Sequence, residues 1–109
     1  MRLIYKKMEL SDFPKCSKEL VLAFKGEPWN EEWTYEQAYR RIDRIMSAKV
    51  SRGYVVYDDD IVVAMFCGRI MTYLDFQELF IDEFSVHPDY QRKGIGGSML
   101  EFARECRRK

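Results

Sequence analysis

The stretch Gln91-Arg92-Lys93-Gly94-Ile95-Gly96-Gly97 constrains this chain more than any other. It lies between an apolar run, Leu79–Val86, and a helical pattern that continues to Arg108. Glycines let a backbone adopt positive φ and approach a ligand closely. The first turn of a helix leaves four N–H groups unsatisfied and carries partial positive charge. Arg92 and Lys93 add formal charge of the same sign. A strand, a glycine turn and a helix in this order make an anion site, and a pyrophosphate suits it. The plainer alternative is a strand-to-helix turn that needs its glycines for geometry alone. Two other phosphate motifs do not fit. A G-x-G-x-x-G pattern would need glycine where Met99 stands, and a P-loop needs Gly-Lys-Ser/Thr where Gly96-Gly97-Ser98 stand.

The rest of the chain supplies an α/β (α+β) frame for this unit. Residues 3–8 are extended in character. Ser11 can cap a helix in which Phe13, Cys16, Leu20 and Phe24 recur at helical spacing, with Asp12 favourable near its start. Pro14 falls in its tolerant first turn, and Gly26 and Pro28 end it. Thr34 and Gln37 form a capping-box pair for a second helix. Its stripe of Tyr35, Ala38, Tyr39, Ile42, Ile45 and Met46 runs to about Lys49. Gly53–Tyr57 and Ile61–Tyr73 read as a hairpin across Asp58-Asp59-Asp60. That turn reads as solvated rather than metal-binding, because no other ligands recur at a matching spacing. Glu78–Val86 is a further strand, broken by His87-Pro88-Asp89-Tyr90. Ile95, Met99, Phe102, Ala103 and Cys106 form the apolar face of a last helix. The order is β-α-α-β-β-β-α, in one domain over residues 1–109.

Charge and cysteine usage remove several function classes. With 18 basic and 18 acidic residues the net charge is zero, unlike a general nucleic-acid binder. The balance is uneven along the chain. Glu27–Glu36 holds four acids and no bases, Asp75–Asp89 five acids and no bases, and Arg92–Lys109 six bases and two acids. Opposite ends of a site would then prefer opposite charges. Cys16, Cys67 and Cys106 form no C-x-x-C, and His87 is the sole histidine, so buried free thiols are expected rather than a zinc site or disulfides. The N-terminal MRLIYKKMEL has no signal-peptide core and no apolar run spans a membrane, which makes a reduced cytoplasm the expected compartment.

The run Val86-His-Pro-Asp-Tyr-Gln-Arg-Lys-Gly-Ile-Gly96 resembles the signature of the GNAT N-acetyltransferases. They carry Gln/Arg-x-x-Gly-x-Gly/Ala between their fourth strand and third helix, and the element order agrees. Ile81-Asp82-Glu83-Phe84 resembles the aminoglycoside 6′-N-acetyltransferase branch. The resemblance implies a mixed, mostly antiparallel sheet flanked by helices. It also implies acetyl-CoA as cosubstrate, no metal, and a primary amine of a small molecule, such as an aminoglycoside or polyamine, as acceptor. By position, backbone N–H groups of Gln91, Arg92, Lys93, Gly94, Ile95 and Gly96 would hold the pyrophosphate. Phe84, Ser85 and Val86 would pair through their backbone with the pantetheine arm, whose amides let it act as an added strand. An amide near Phe84 would hold the thioester carbonyl and stabilise the oxyanion formed on attack.

The acceptor amine, with pKa about 10, arrives protonated at pH 7 and needs a carboxylate. Glu78, Asp82 and Glu83 lie on the Glu78–Val86 strand. In a regular strand Glu78, Phe80 and Asp82 share one face and Glu83 points the other way. Asp82 is the first choice, and the resemblance implies that an acid there contacts the acceptor; a solvated strand residue is the alternative. Phe80 stands where other members carry a glutamate base. The loop Glu27-Pro-Trp29-Asn-Glu31-Glu32-Trp33 lies where the family forms its acceptor wall. Trp29 and Trp33 would stack on the acceptor, and Glu27, Glu31 and Glu32 would attract a polycation. Alternatively the tryptophans are core and the glutamates flank a helix start.

The family pattern continues with further strands, a fourth helix and usually a tyrosine acid, whereas this sequence ends at Lys109. The resemblance therefore covers only the first part of that fold, truncated after the third helix. Strand Glu78–Val86 would then present an unpaired apolar edge, which favours a homodimer. The rival reading keeps the fold without the chemistry, as a CoA-binding or protein-interaction module.

Overall fold

The computed structural model describes residues 2–108, with side chains through Cys106. The elements are β1 (Leu3–Lys7), α1 (Phe13–Lys25), α2 (Tyr35–Ile45), β2 (Ser51–Asp58), β3 (Ile61–Tyr73), β4 (Phe76–Val86) and α3 (Ile95–Arg108). The strands form one sheet in the order β1-β2-β3-β4, antiparallel at every pairing. This is the α+β order read from the sequence.

Consecutive strand residues face opposite sides of a sheet. Here both sides are covered. Val55, Met65 and Cys67 face α1 and α2, where they meet Cys16, Leu20, Ala38 and Ile42. Tyr54, Val56, Ala64 and Phe66 face α3, where they meet Ile95, Met99 and Ala103. Burial on both faces explains why Val62–Cys67 is an unbroken buried apolar run rather than an alternating one.

Several boundaries differ from the sequence reading, each for a local polar reason. β4 begins at Phe76 rather than Glu78, because Leu74, at φ 54°, and Asp75 turn the chain and leave Tyr73 opposite Phe76. α2 stops at Ile45, short of Lys49. The Ser51 hydroxyl donates to the Ile45 carbonyl (2.6 Å) and accepts from the Ala48 N–H (3.0 Å), closing the helix end. β2 consequently starts at Ser51 rather than Gly53. The α1 cap is Asp12 rather than Ser11, and its carboxylate makes no bond to the helix. It accepts instead from the Glu9 N–H (2.8 Å), the Tyr57 hydroxyl (2.6 Å) and the Lys6 ammonium. Burial alone would raise the Asp12 pKa, but these three donors outweigh it and hold the carboxyl below its ordinary value. The Thr34–Gln37 capping box is present in both directions.

The β3–β4 ladder contains the irregularity that matters most. Cys67 faces Glu83 but Gly68 faces Ile81, so Asp82 is an extra residue without a partner on β3. Gly68 makes room for it. A Cβ at Gly68 would lie 1.9 Å from the Phe80 carbonyl oxygen. The bulge ends strict alternation at Asp82. Both Asp82 and Glu83 reach arginines on the α2 side, contrary to the regular-strand expectation that they diverge.

Gly68→Ala should therefore destabilise the protein by about 1–3 kcal/mol, the usual penalty of overpacking a tight site. Urea unfolding measures it; an unchanged midpoint would show that β4 can shed the bulge freely.

Candidate functional site

β4 leads into the glycine turn through a fixed corner. The His87 N–H donates to the Val63 carbonyl (2.8 Å), and the Tyr90 hydroxyl donates to Asp58 (2.6 Å). The Gln91 side-chain amide donates to the Val86 carbonyl (3.1 Å). Arg92 and Gly94 take positive φ, 62° and 79°. The first backbone bond of α3 runs from the Ser98 N–H to the Gly94 carbonyl (3.0 Å). Helix geometry thus leaves the N–H groups of Ile95, Gly96 and Gly97 outside the ladder. The Ile95 side chain is buried in the core, so only its backbone is available to a ligand.

The three glycines have different grounds. Gly94 is needed for its left-handed φ. Gly96 is tightly placed, since a Cβ there would lie 3.1 Å from the Phe84 ring, which would have to give by a few tenths of an ångström. Gly97 has ordinary φ and an added Cβ would meet nothing within 4 Å. Turn geometry alone accounts for the first two and not for the third, although glycine in a helix costs roughly 1 kcal/mol relative to alanine.

Beside the turn, a cleft of about 210 Å³ is lined by Ala23 and Phe24 of α1, by Trp29, by Phe84, Ser85 and Val86 of β4, and by Gln91. Five residues singled out in the sequence meet here: Trp29, Phe84, Ser85, Val86 and Gln91. The Phe84 ring stacks on Phe66 (5.9 Å, 14°) toward α3. Ser85 faces the other way, and its hydroxyl bonds to the Glu19 carboxylate.

Glu19 was not legible as a site residue. It is only 2% exposed, and its Oε1 has no partner among the described residues. Burial pushes its carboxyl up to about 7, opposed by the Ser85 bond. The one signal in the sequence was its place beside Cys16 and Leu20 on the apolar stripe of α1. Cys16 and Cys67 are buried free thiols and Cys106 is half-buried. No group of three His, Cys, Asp or Glu side chains among the described residues is placed to hold a metal.

On the acceptor side, Asp82 pairs with Arg69 (3.2 Å) and Glu83 with Arg41 (2.7 Å). Phe80 lies against the Arg69 guanidinium (5.6 Å). Glu78 sits opposite Met71, up the hairpin from the bulge, and is not brought to the cleft. The two tryptophans divide between the alternative readings. Trp33 packs on the core and its indole N–H donates to Glu31 (3.0 Å). Trp29 is 57% exposed at the cleft, edge-on to Phe24 (5.5 Å). Glu31 and Glu32 share a groove with Arg40, Arg41 and Arg44, so the loop does not form an isolated acidic wall. Glu27 is exposed and precedes a cis peptide to Pro28.

Comparison with known proteins agrees with this geometry. The acetyltransferase (GNAT) family pattern matches residues 12–108, and the chain belongs to that family. No curated protein matches. Among solved structures, a GNAT acetyltransferase of Staphylococcus aureus superposes with a TM-score of 0.77 at 17% identity, over 96% of this chain and 77% of that one. An aminoglycoside 6′-N-acetyltransferase from Acinetobacter haemolyticus gives 0.67 at 14%, over 95% and 69%. An aminoglycoside acetyltransferase solved with a CoA-linked bisubstrate analogue gives 0.68 at 11%, over 96% and 71%. At such identities the likeness establishes the fold, a GNAT α+β arrangement. No helix among the described residues is long and apolar enough to cross a membrane.

Two expectations follow. Gly94→Ala should cost about 1 kcal/mol through its positive φ, whereas Gly97→Ala should be neutral or stabilise by up to about 1 kcal/mol; thermal unfolding of both variants checks this. The second concerns pH. Glu19 binds its proton more tightly folded, at about 7, than unfolded, near 4.5. Below pH 4.5 it is protonated in both states and imposes no penalty. As pH rises to 7 the unfolded chain loses its proton first, and stability falls by about 3 kcal/mol. Glu19→Gln should abolish that slope in urea titrations between pH 5 and 7.

Proposed function

We propose that this chain binds acetyl-CoA on the glycine turn and the free edge of β4, and transfers its acetyl group to a primary amine. The observation that carries this reading is Gly97, a helical glycine with open space above it beside unpaired N–H groups and two cationic residues. A pyrophosphate on the N–H groups of Gln91 through Gly96 fits that surface. Phe84–Val86 then offer strand-edge backbone to the pantetheine arm. The Phe84 N–H stabilises the oxyanion formed when the amine nitrogen attacks the thioester carbonyl carbon. Asp82, at the bulge, receives the proton that the ammonium loses before attack; the C–S bond then breaks, and the second proton left on the nitrogen passes to the departing thiolate to give the thiol. Trp29 covers the cleft mouth. An aminoglycoside or polyamine acceptor is what the Ile81–Phe84 resemblance favours, in a cytoplasmic setting.

A second reading is favoured by one observation. Asp82 and Glu83 are both held in ion pairs, and Phe80 stands where a glutamate base would be. On that reading the chain binds CoA without transfer. In either case β4 is the last strand of the sheet, with Phe80 and Ile81 exposed along it. Pairing of that edge with a second copy, giving a homodimer, is the arrangement we expect; a clean monomer at high concentration in sedimentation would rule it out.

Calorimetric titration with acetyl-CoA separates these readings. Gly97→Asp introduces no strain, and an acid in the first turn of a helix is favourable. The variant should keep wild-type stability yet bind acetyl-CoA at least about tenfold more weakly through like-charge repulsion. Equal affinity would refute the pyrophosphate site. Binding without acetylation of any amine would favour the second reading.

A further inference from the structure

We propose that Glu19 is a positioning residue for acetyl-CoA: through the Ser85 hydroxyl it ties the cofactor-facing segment of β4 to α1, and occupation of the neighbouring cleft is coupled to its protonation. This rests on the acetyl-CoA reading, because it names a residue that serves that site.

The tie is placed by the two covered faces of the sheet. β4 is the last strand, so one edge of Phe84–Val86 has no strand beside it. The His87 N–H points to β3, where it donates to Val63, whereas the Val86 carbonyl accepts from the Gln91 side chain. Strand alternation therefore turns the Phe84 and Val86 backbone to the free edge and the Ser85 backbone to β3. The Phe84 and Val86 side chains pack on the α3 side. Ser85 alone of the three faces α1, and its hydroxyl bonds to Glu19 across 66 residues.

Glu19 stands between two spaces. One turn further along α1, Ala23 lines the cleft of about 210 Å³ that Ser85 also lines. On its other side Glu19 borders a cavity of about 240 Å³, together with Lys15 and Lys18 of α1, Asp60 of the β2–β3 turn, and His87. None of these groups bonds to it: Oε2 takes Ser85, and Oε1 has no partner among the described residues. Lys15 lies over the Tyr57 ring (5.7 Å), and the His87 Nδ1 accepts from the Asp89 N–H (3.1 Å). Lys18 and Asp60 are exposed. The Cys16 thiol, one turn earlier on α1, is kept neutral by burial.

A buried carboxylate with a single hydrogen bond is poorly solvated, and Glu19 accordingly holds its proton up to about 7. Water in the adjoining cleft supplies part of the solvation that remains. A pantetheine arm in the cleft replaces that water with methylenes and methyl groups, which favours the neutral carboxyl further. Binding therefore raises the Glu19 pKa above its free value. Affinity is full below pH 7 and falls as pH rises above it, by at most about tenfold per unit. At pH 7 about half of the free chains already carry the proton, so binding takes up about half a proton.

Acetyl-CoA is titrated calorimetrically into the wild-type chain, Glu19→Gln and Ser85→Ala. Runs at pH 7 in PIPES and in imidazole, whose ionisation heats differ, give the protons taken up; runs at pH 6 and pH 8 give the affinity. Wild type should take up about half a proton more than Glu19→Gln at pH 7. His87 and the phosphates of the cofactor titrate in both proteins, so the difference reports Glu19. Between pH 6 and pH 8 the wild-type affinity should fall at least about threefold more than that of Glu19→Gln. At pH 6 the two should agree within about twofold, because the amide oxygen still accepts from Ser85. Ser85→Ala, checked as folded by thermal unfolding, should bind about fivefold more weakly at pH 6. Equal proton uptake in wild type and Glu19→Gln would overturn the coupling, and wild-type affinity in Ser85→Ala would overturn the tie. Either result leaves the acetyl-CoA reading standing, whereas no binding by the wild-type chain at any pH would overturn that reading and the role of Glu19 with it.

Discussion

The contact between Gly68 and the Phe80 carbonyl organises the site. Because β3 carries no side chain at that point, β4 can accommodate an extra residue, and the pairing frame shifts at Asp82. Everything beyond the bulge takes its direction from that shift. Glu83 turns to Arg41 on α2, Phe84 turns to Phe66 and Gly96 beneath α3, and Ser85 turns to Glu19 on α1. A regular strand would send each of these side chains to the opposite face.

The electrostatics of the site depend on the same frame. Along the sequence, Asp75–Asp89 is a purely acidic stretch. In the folded chain Asp82 and Glu83 face arginines from β3 and α2, and the surface nearby keeps two further arginines. At the other end, Arg92, Lys93 and the open helix N-terminus agree in sign because they are adjacent in sequence and the helix geometry is local.

Much of the fold was legible because its signals are short-range. The period-3.6 stripes located α1, α2 and α3, and the Thr34–Gln37 pair marked the start of α2 correctly. The errors also have short-range causes that patterns do not encode. Asp12 left its helix amides for Lys6 and Tyr57, and Ser51 closed α2 before its apolar stripe ran out. The glycine turn was recognised, yet its glycines looked equivalent. Only the packing of Phe84 separates Gly96, where a side chain would press on that ring, from Gly97, where it would meet nothing.

The sequence by itself determined the elements, their order, the start of α2 and the glycine-rich, cationic character of the Gln91–Gly97 turn, since each depends on residues within one or two turns of each other. The tertiary structure decided what those elements bring together. Arg41 meets Glu83 across 42 residues and Ser85 meets Glu19 across 66. Such contacts are fixed by sheet register and by helix packing on two covered faces. A one-residue bulge reverses which side chains can meet, and periodicity cannot reveal where such a residue is inserted.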